Sequence, residues 1–169
     1  MAVRDEAIRS MKDYFQSERF SSHTLKVLAA AEKIAEAEKL PDGFLRESTV
    51  LGCIFHDIGI PEAQKKHGSI DGPWQEKEGP AVARQLMAVL GVRPDILERV
   101  CYLVGFHHTK DRVDGMDFQL LWEADFIVNV EEKNLVFTRD DIGAAIQANT
   151  TTAMGTRLAR EAAARIGLL

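Results

Sequence analysis

A His-Asp pair, His56-Asp57, stands at the end of an apolar run and is the stretch of this 169-residue chain that most clearly indicates chemistry. Apolar runs normally fold into the interior, and a buried His-Asp pair requires hydrogen-bond partners or a metal. Gly59 and Pro61 follow, so we expect the pair at the end of a helix. Because neighbouring helical residues point about 100° apart, both side chains could reach one ion only from such an end.

Other histidines and an aspartate fall on apolar helical stripes. His23 lies one turn before Val27, Asp125 lies one turn after Leu121, and His107 and His108 extend the stripe of their own segment. One such histidine alone would more simply be a core residue bonded to a backbone group. A charged aspartate on an apolar stripe, however, is costly unless it is paired or bound to a cation.

A divalent cation would satisfy these groups together. Imidazole and carboxylate are suitable ligands for Mn, Fe, Co, Ni or Zn, whereas a closed structural zinc site more often uses cysteine. We therefore predict a divalent ion in the core of the fold. Two histidines and two aspartates leave positions open for water and substrate.

The segments that must position these residues all show helical periodicity, which predicts an all-α fold in a single domain, 1–169. Its motif-bearing core covers about 20–130, and C-terminal helices follow within 139–169. A loop is predicted at 61–73, and 134–138 could be a short extended piece. The predicted helices are 5–15, 23–38 capped by Ser21 or Ser22, one from Phe44 to the His-Asp pair, 74–90, one from Pro94 to His107, one through 118–125, 139–147 capped by Thr138, and 153–166 capped by Thr152.

Composition excludes several classes of protein. The chain is 46% hydrophobic and 28% charged, and it lacks an apolar stretch of the roughly 20 residues that cross a membrane. Its start is acidic rather than signal-like, which favours the cytoplasm. A net charge of −5 disfavours binding of nucleic-acid polymers. Cys53 and Cys101 are expected to be buried thiols, and the 153–166 segment could form a homodimer face or simply pack on the surface.

His23, the pair His56-Asp57 with Ile58-Gly59, and Asp125 in Glu123-Ala124-Asp125-Phe126 resemble, in order and spacing, the signature of the HD-domain metal-dependent phosphohydrolases. The similarity covers about 22–129 and is strongest to a poorly characterised bacterial and archaeal branch. It implies an all-helical bundle whose metal is bound by His23, His56, Asp57 and Asp125.

Binuclear members of that superfamily have paired histidines as this chain has His107-His108, but they carry a further histidine upstream. Glu78 lies in that region and could be the extra ligand of a second ion, or else a solvated acid at the start of a helix. His67, in the predicted polar loop, is expected at the surface.

The resemblance implies a hydrolase of phosphate esters that uses metal-activated water, with a nucleotide or another small phosphorylated metabolite as substrate. Ile58, Ile60 and Pro61 replace the acids that alarmone hydrolases and deoxynucleotide monophosphatases carry, and the residues after His108 lack the Gly-Tyr-Pro element of cyclic dinucleotide phosphodiesterases. Those specific activities are therefore not expected.

Asp57 is expected to steer or accept the proton of the attacking water, and Lys26, Lys65 and Lys66 are expected to hold the phosphate. Two alternatives remain. The same ligands could support a di-iron oxygenase, or they could form a non-catalytic metal-binding module.

Overall fold

The computed structural model describes residues 2–169, and in this part of the chain all regular secondary structure is helical and there is no strand. The prediction of an all-α fold is therefore confirmed, and 134–138 is irregular rather than extended. The elements of the described chain are α1 (Ala2–Phe15), α2 (Glu18–Ala37), α3 (Phe44–Phe55), α4 (Ile60–His67), α5 (Gly72–Val89), α6 (Pro94–Phe106), a 3-10 turn (Lys110–Arg112), α7 (Met116–Glu131), α8 (Ile142–Asn149) and α9 (Ala153–Arg165).

The predicted loop over 61–73 is wrong, because most of it forms α4. Pro61 lies in the first turn of this helix, where a missing backbone N–H leaves no hydrogen bond unmade. Gly68 ends the helix in the left-handed conformation, with φ of 68°. The proline and the glycine therefore mark the start and the stop of a short helix.

Gly59 is required by packing rather than by the end of α3, which already stops at Phe55. Its φ of −73° is open to any residue. A Cβ atom at this position, however, would lie 2.4 Å from the Gln75 carbonyl oxygen and 2.8 Å from the Gly79 nitrogen. The turn after His56-Asp57 can therefore approach the backbone of α5 only because residue 59 has no side chain.

Two predicted caps differ from those observed and a third is confirmed. Ser17 precedes α2 with extended dihedral angles, so the helix begins five residues before His23. Asp141 rather than Thr138 precedes α8, which begins at Ile142. The side chain of Thr152 accepts a hydrogen bond from the Gly155 nitrogen and caps α9 as predicted.

Helix α7 lies at the centre of the fold and contributes to both hydrophobic clusters. Its Leu121 and Ala124 pack in the larger cluster with side chains of α1, α2, α3, α5 and α6. Its Leu120 and Phe126 pack in a second cluster with α2, α8 and α9. Because α7 is buried on opposite sides, a polar residue on it must be accommodated by its neighbours.

Two further sequence expectations bear on the core and the surface. Cys53 and Cys101 are buried free thiols, as predicted. Among the helices of residues 2–169, none combines the length and the apolar character that a membrane span requires.

Candidate metal centre

Four polypeptide segments bring histidines and aspartates together inside the helical fold. His23 comes from the middle of α2, and His56 and Asp57 follow α3 directly. His107 follows α6 in the same way, and Asp125 lies on the central helix α7. His56 is fully buried, and His23 and His107 are less than 10% exposed. The charges of this polar cluster are therefore poorly solvated by water.

The imidazole Nε2 atoms of this cluster face carboxylate oxygens. His23 Nε2 lies 3.1 Å from Asp125 Oδ1 and 3.7 Å from Asp57 Oδ2. His56 Nε2 lies 3.3 Å from Asp57 Oδ2 and 3.7 Å from Asp125 Oδ1. Ligand atoms bound at about 2.1 Å to one transition-metal ion lie roughly 3 to 4 Å from one another. The ligand atoms of His23, His56 and Asp57 all lie within 4.8 Å of one another and suit a single ion, and Asp125 Oδ1 lies within 3.7 Å of both histidines.

Two buried ring nitrogens strengthen this assignment. Within the described chain, His56 Nε2 and His107 Nε2 are inaccessible to water and have no hydrogen-bond partner. Buried nitrogen atoms rarely stay unpaired, because an unmade hydrogen bond is costly. A lone pair directed at a cation would remove that cost, so the donor set fits a divalent metal.

The other ring nitrogens are held so that Nε2 is the atom free to bind. His56 Nδ1 donates to the Cys53 carbonyl at 2.8 Å, and His107 Nδ1 donates to the Val104 carbonyl at the same distance. Each acceptor is one of the last carbonyls of a helix, which have no partner within the helix. The end of the helix thus fixes both the ring orientation and the tautomer.

His23 is oriented by a carboxylate instead. Its Nδ1 lies 2.9 Å from Glu132 Oε2, and Lys26 Nζ donates to Glu132 Oε1 at 2.7 Å. Such a carboxylate behind a ligating histidine holds the ring in place and makes it a stronger ligand. Lys26 therefore lies behind His23 and forms an ion pair there, which differs from the predicted contact with substrate.

Replacing Glu132 by alanine is expected to weaken metal binding about 10-fold or more, because groups that orient a ligating histidine typically contribute that much. Elemental analysis and competition with a chromophoric chelator would measure the change. Lys26→Met is the matched control: it removes the charge behind Glu132 but leaves the hydrogen bond to His23, so a much smaller effect is expected. Equal affinities of wild type and Glu132→Ala would contradict this role.

Burial and charge act in opposite directions on these groups. Burial would lower the pKa of the His56 imidazole, but Asp57 and Asp125 beside it outweigh this and raise that pKa to about 9. Burial would likewise raise the pKa of the Asp57 carboxyl, whereas His56 and His107 hold it well below its usual range. At neutral pH the protein groups alone thus favour a protonated histidine beside an ionised aspartate.

A cation binds only the neutral imidazole, so metal binding must displace the proton of His56. We expect metal affinity to rise with pH up to about 9, the value to which the pKa of His56 is raised. The rise should be about 10-fold per pH unit for each proton displaced. Titration calorimetry at pH 7 in buffers of different ionisation enthalpy should show proton release, and an affinity that is flat from pH 6 to 9 would contradict the expectation.

A second group of candidate ligands shares Asp57 with the first. The ligand atoms of Asp57, His107 and His108 lie within 4.8 Å of one another. His107 Nε2 is 3.4 Å from Asp57 Oδ1, whereas the close contact of His56 is to Oδ2 of the same carboxylate. The backbone nitrogen of His108 donates to Glu76 Oε1 at 2.9 Å. This hydrogen bond anchors the turn that carries the two histidines to helix α5. Asp57 thus belongs to both groups and would help to hold an ion in either.

Glu78 does not join this second group. Its carboxylate accepts hydrogen bonds from Lys66 Nζ at 2.6 Å and from His67 Nε2 at 2.9 Å. His67 itself is a partly buried residue of α4 whose ring stacks on Trp74 at 3.8 Å, so the expected loop position at the surface is wrong. The sequence suggested Glu78 as a possible ligand of a second ion. In the structure its carboxylate instead forms this ion-paired contact between α4 and α5.

Lys65 and Lys66 lie on the exposed side of α4, a helix that the sequence interpretation did not include. Lys66 pairs with Glu78 and Glu62, and Lys65 Nζ lies 3.8 Å from Glu62. Both ammonium groups therefore neutralise acids of the protein itself. In the described chain, a cavity lined by His107, His108 and Asp125 opens beside the candidate ligands. Neither lysine lines that cavity.

Sequence reasoning missed two residues that support the centre. Asn129 Nδ2 donates to Asp125 Oδ1 at 2.8 Å, and Glu132 contacts His23 as described above. Both follow Asp125 at helical spacing, four and seven residues later, and so lie along the same side of α7. A search for polar residues at that spacing from a candidate ligand would have found them.

The fold and the candidate centre define a helical domain built around a His/Asp cluster that could hold a metal. The model of the HD domain family matches residues 20–166, and the chain belongs to that family. The fold is also similar to the crystal structure of a predicted HD superfamily hydrolase from an uncultured Thermotogales bacterium. That comparison has a TM-score of 0.63 at 19% identity and covers 98% of this chain and 85% of the other. No curated protein matches the sequence.

Proposed function

We propose that this protein hydrolyses phosphate esters of small metabolites with the help of a divalent transition metal such as Mn, Fe, Co, Ni or Zn. The observation that carries the proposal is the convergence of buried, unpartnered histidine nitrogens on Asp57 and Asp125. Membership of the HD family and the similarity in fold to a predicted hydrolase support the same reaction class.

His23, His56, Asp57 and Asp125 would hold the ion. When bound, a divalent ion lowers the pKa of water and neutralises charge on phosphoryl oxygens. Asp57 presents Oδ2 to His23 and His56 and presents Oδ1 to His107. One carboxylate oxygen can therefore stay with the ligand set while the other orients the attacking water or accepts its proton. Asn129 and Glu132 keep Asp125 and His23 in position.

The test is phosphate release by the 169-residue chain. The protein is stripped with a chelator, reloaded separately with Mn, Fe, Co, Ni or Zn, and assayed against a panel of phosphate monoesters and diesters. We expect release with at least one metal and none from the stripped protein. A lack of release from the whole panel with every metal would overturn the proposal.

Iron-dependent oxygenation is a second candidate, and it is favoured because two groups of candidate ligands share Asp57. It predicts two irons per chain after anaerobic preparation, and oxygen consumption with a phosphonate or polyol substrate. One metal per chain together with phosphate release would exclude it. A purely structural metal would instead be indicated if removing the ion cost most of the folding free energy without any turnover.

A further inference from the structure

A cavity of about 340 Å³ opens directly beside the candidate ligands. Its wall includes Asp125 of the first group of candidate ligands and His107 and His108 of the second, so a molecule inside it would lie next to both groups. The volume falls at the small end of the range of about 300 to 1,000 Å³ for small-molecule sites. The cavity is therefore placed and sized to take the organic part of a small substrate.

The cavity has no cationic side chain to receive a second anion. Among the described residues that line it there is no lysine or arginine. Lys110, from the segment after His108, donates to the backbone carbonyl of Ala148. An anionic group in this space would give up part of its water for neutral amide donors alone, without meeting a cation, which is unfavourable. One phosphate can be neutralised by metal, whereas a further charge on the substrate cannot be matched here.

The polar groups of the wall are neutral amides whose orientation is fixed. The carboxylate of Asp125 can only accept, so Asn129 directs its Nδ2 towards it and offers Oδ1 to Asn134 Nδ2 at 3.0 Å. Asn134 Oδ1 is thereby left as an acceptor. Trp122 Nε1 donates to Asn149 Oδ1 at 3.2 Å, and Asn149 Nδ2 donates to the Ala145 carbonyl, which leaves one N–H of that amide unused. The cavity thus displays neutral donors and acceptors.

The rest of the wall is apolar and largely aromatic. It consists of Trp122 and Phe126 from α7 and Leu135 and Phe137 from the segment that follows α7. Ring faces of this kind pack well against a flat group, and their contribution does not depend on charge. Amide and aromatic groups together would favour a flat, uncharged group that carries a hydrogen-bond donor.

Resting on the proposed function, we infer that this cavity is the specificity pocket for the organic part of the substrate. It selects an ester with a single phosphate on a flat, uncharged group and rejects substrates that carry a second anionic group. This selection against a second anionic group comes from the neutral cavity wall rather than from the ion. A site that binds polyphosphates would instead need cationic side chains in that wall.

The test compares two esters that differ in charge at one position. 4-Carbamoylphenyl phosphate and 4-carboxyphenyl phosphate have the same ring, the same phosphate and nearly the same shape, but only the second has an additional negative charge. With the metal-loaded chain we expect kcat/KM to favour the carbamoyl ester at least ~10-fold, mainly through KM, because the carboxylate would give up water without meeting a cation. Equal values, or a preference for the carboxyl ester, would overturn the inference.

A pair of variants locates the effect within the cavity. Leu135→Lys places an ammonium group in the wall and should bring the two esters close to equality. Val136→Lys adds the same charge to the next residue, which is 93% exposed and does not line the cavity, and should leave the preference unchanged. If both variants shift the preference equally, general surface charge is responsible and the pocket assignment is wrong.

A binding measurement keeps this test separate from that of the proposed reaction. Trp122 lines the cavity, and Trp74 is the other tryptophan of the chain, so Trp74→Phe leaves a single reporter. We expect 4-hydroxybenzamide to change the fluorescence of Trp122 at concentrations where 4-hydroxybenzoate does not. If no ester is hydrolysed but this difference is found, the proposed reaction fails and the pocket stands. If neither compound binds, or the benzoate binds as well, the pocket fails whatever the activity.

Discussion

Asp57→Ala is expected to lose metal binding and phosphate release together. Asp57 is the residue that the two candidate ligand groups share, with its oxygens 3.3 Å from His56 Nε2 and 3.4 Å from His107 Nε2. Groups that merely orient a ligand contribute about 10- to 100-fold to metal affinity, so loss of a ligand itself should cost at least about 100-fold. Phosphate release from the best ester should fall to that of the stripped protein.

Metal content after dialysis and competition with a chromophoric chelator would measure the first effect, and the ester assay would measure the second. Asp140→Ala is the matched control, because it makes the same change in charge at an exposed position away from the centre. Far-ultraviolet circular dichroism should show that both variants keep their helices. An Asp57→Ala protein that retained a tenth of the affinity would refute the placement of Asp57 between the ligands.

Local sequence signals predicted the helices well, but their ends less well. The apolar periodicity of 94–106 and the first-turn Pro94 predicted α6 at its observed start, because both signals are carried by neighbouring residues. Pro61 and Gly68 were interpreted as loop residues, although they occupy the first turn and the C-terminal end of α4. The same residue types stop one helix and begin another, so composition alone could not distinguish the two cases.

The candidate ligands could be found from sequence, whereas the residues that support them could not. A histidine or an aspartate on an apolar stripe is conspicuous in the sequence, as His23 and Asp125 are. Glu132, by contrast, contacts His23 across a separation of 109 residues, and this contact depends on how α2 packs against α7. Lys66 and Glu78 likewise pair only because α4 folds back on α5, and sequence reasoning had assigned each a different role. Charged side chains such as these find their partners through tertiary packing, which the spacing of residues along the chain does not reveal.

Glu123→Ala is expected to cause the largest loss of stability. Glu123 is fully buried on α7, and its Oε1 accepts from the backbone nitrogens of Thr151 and Thr152 at 2.7 and 3.0 Å. Its Oε2 accepts from Thr152 Oγ1 at 2.6 Å, and a Cβ atom on Gly155 would lie 1.8 Å from this oxygen. The carboxylate therefore fits tightly against the start of α9 and satisfies backbone donors that precede the helix.

Alanine at position 123 would leave buried donors such as the Thr152 nitrogen without a partner. Because a hydrogen bond to a charged group contributes about 1.5 to 3 kcal/mol, we expect unfolding in urea to lose about 3 kcal/mol or more. Amide hydrogen exchange should accelerate first over 150–165, where the lost contacts lie. Glu161→Ala is the control. The carboxylate of Glu161 pairs with Arg157 at the surface of α9 and should contribute less than about 1 kcal/mol.

Gly155→Ala tests the same contact from the other side, because its methyl group would push Glu123 away while keeping the carboxylate. A similar loss of stability in both variants would show that the fit between α7 and α9 matters as much as the charge. A loss below about 1 kcal/mol in Glu123→Ala would mean that water replaces the carboxylate. In that case the apolar packing of Ala159 and Ala162 and the ion pair of Arg165 with Glu131 would hold α9 without help from Glu123.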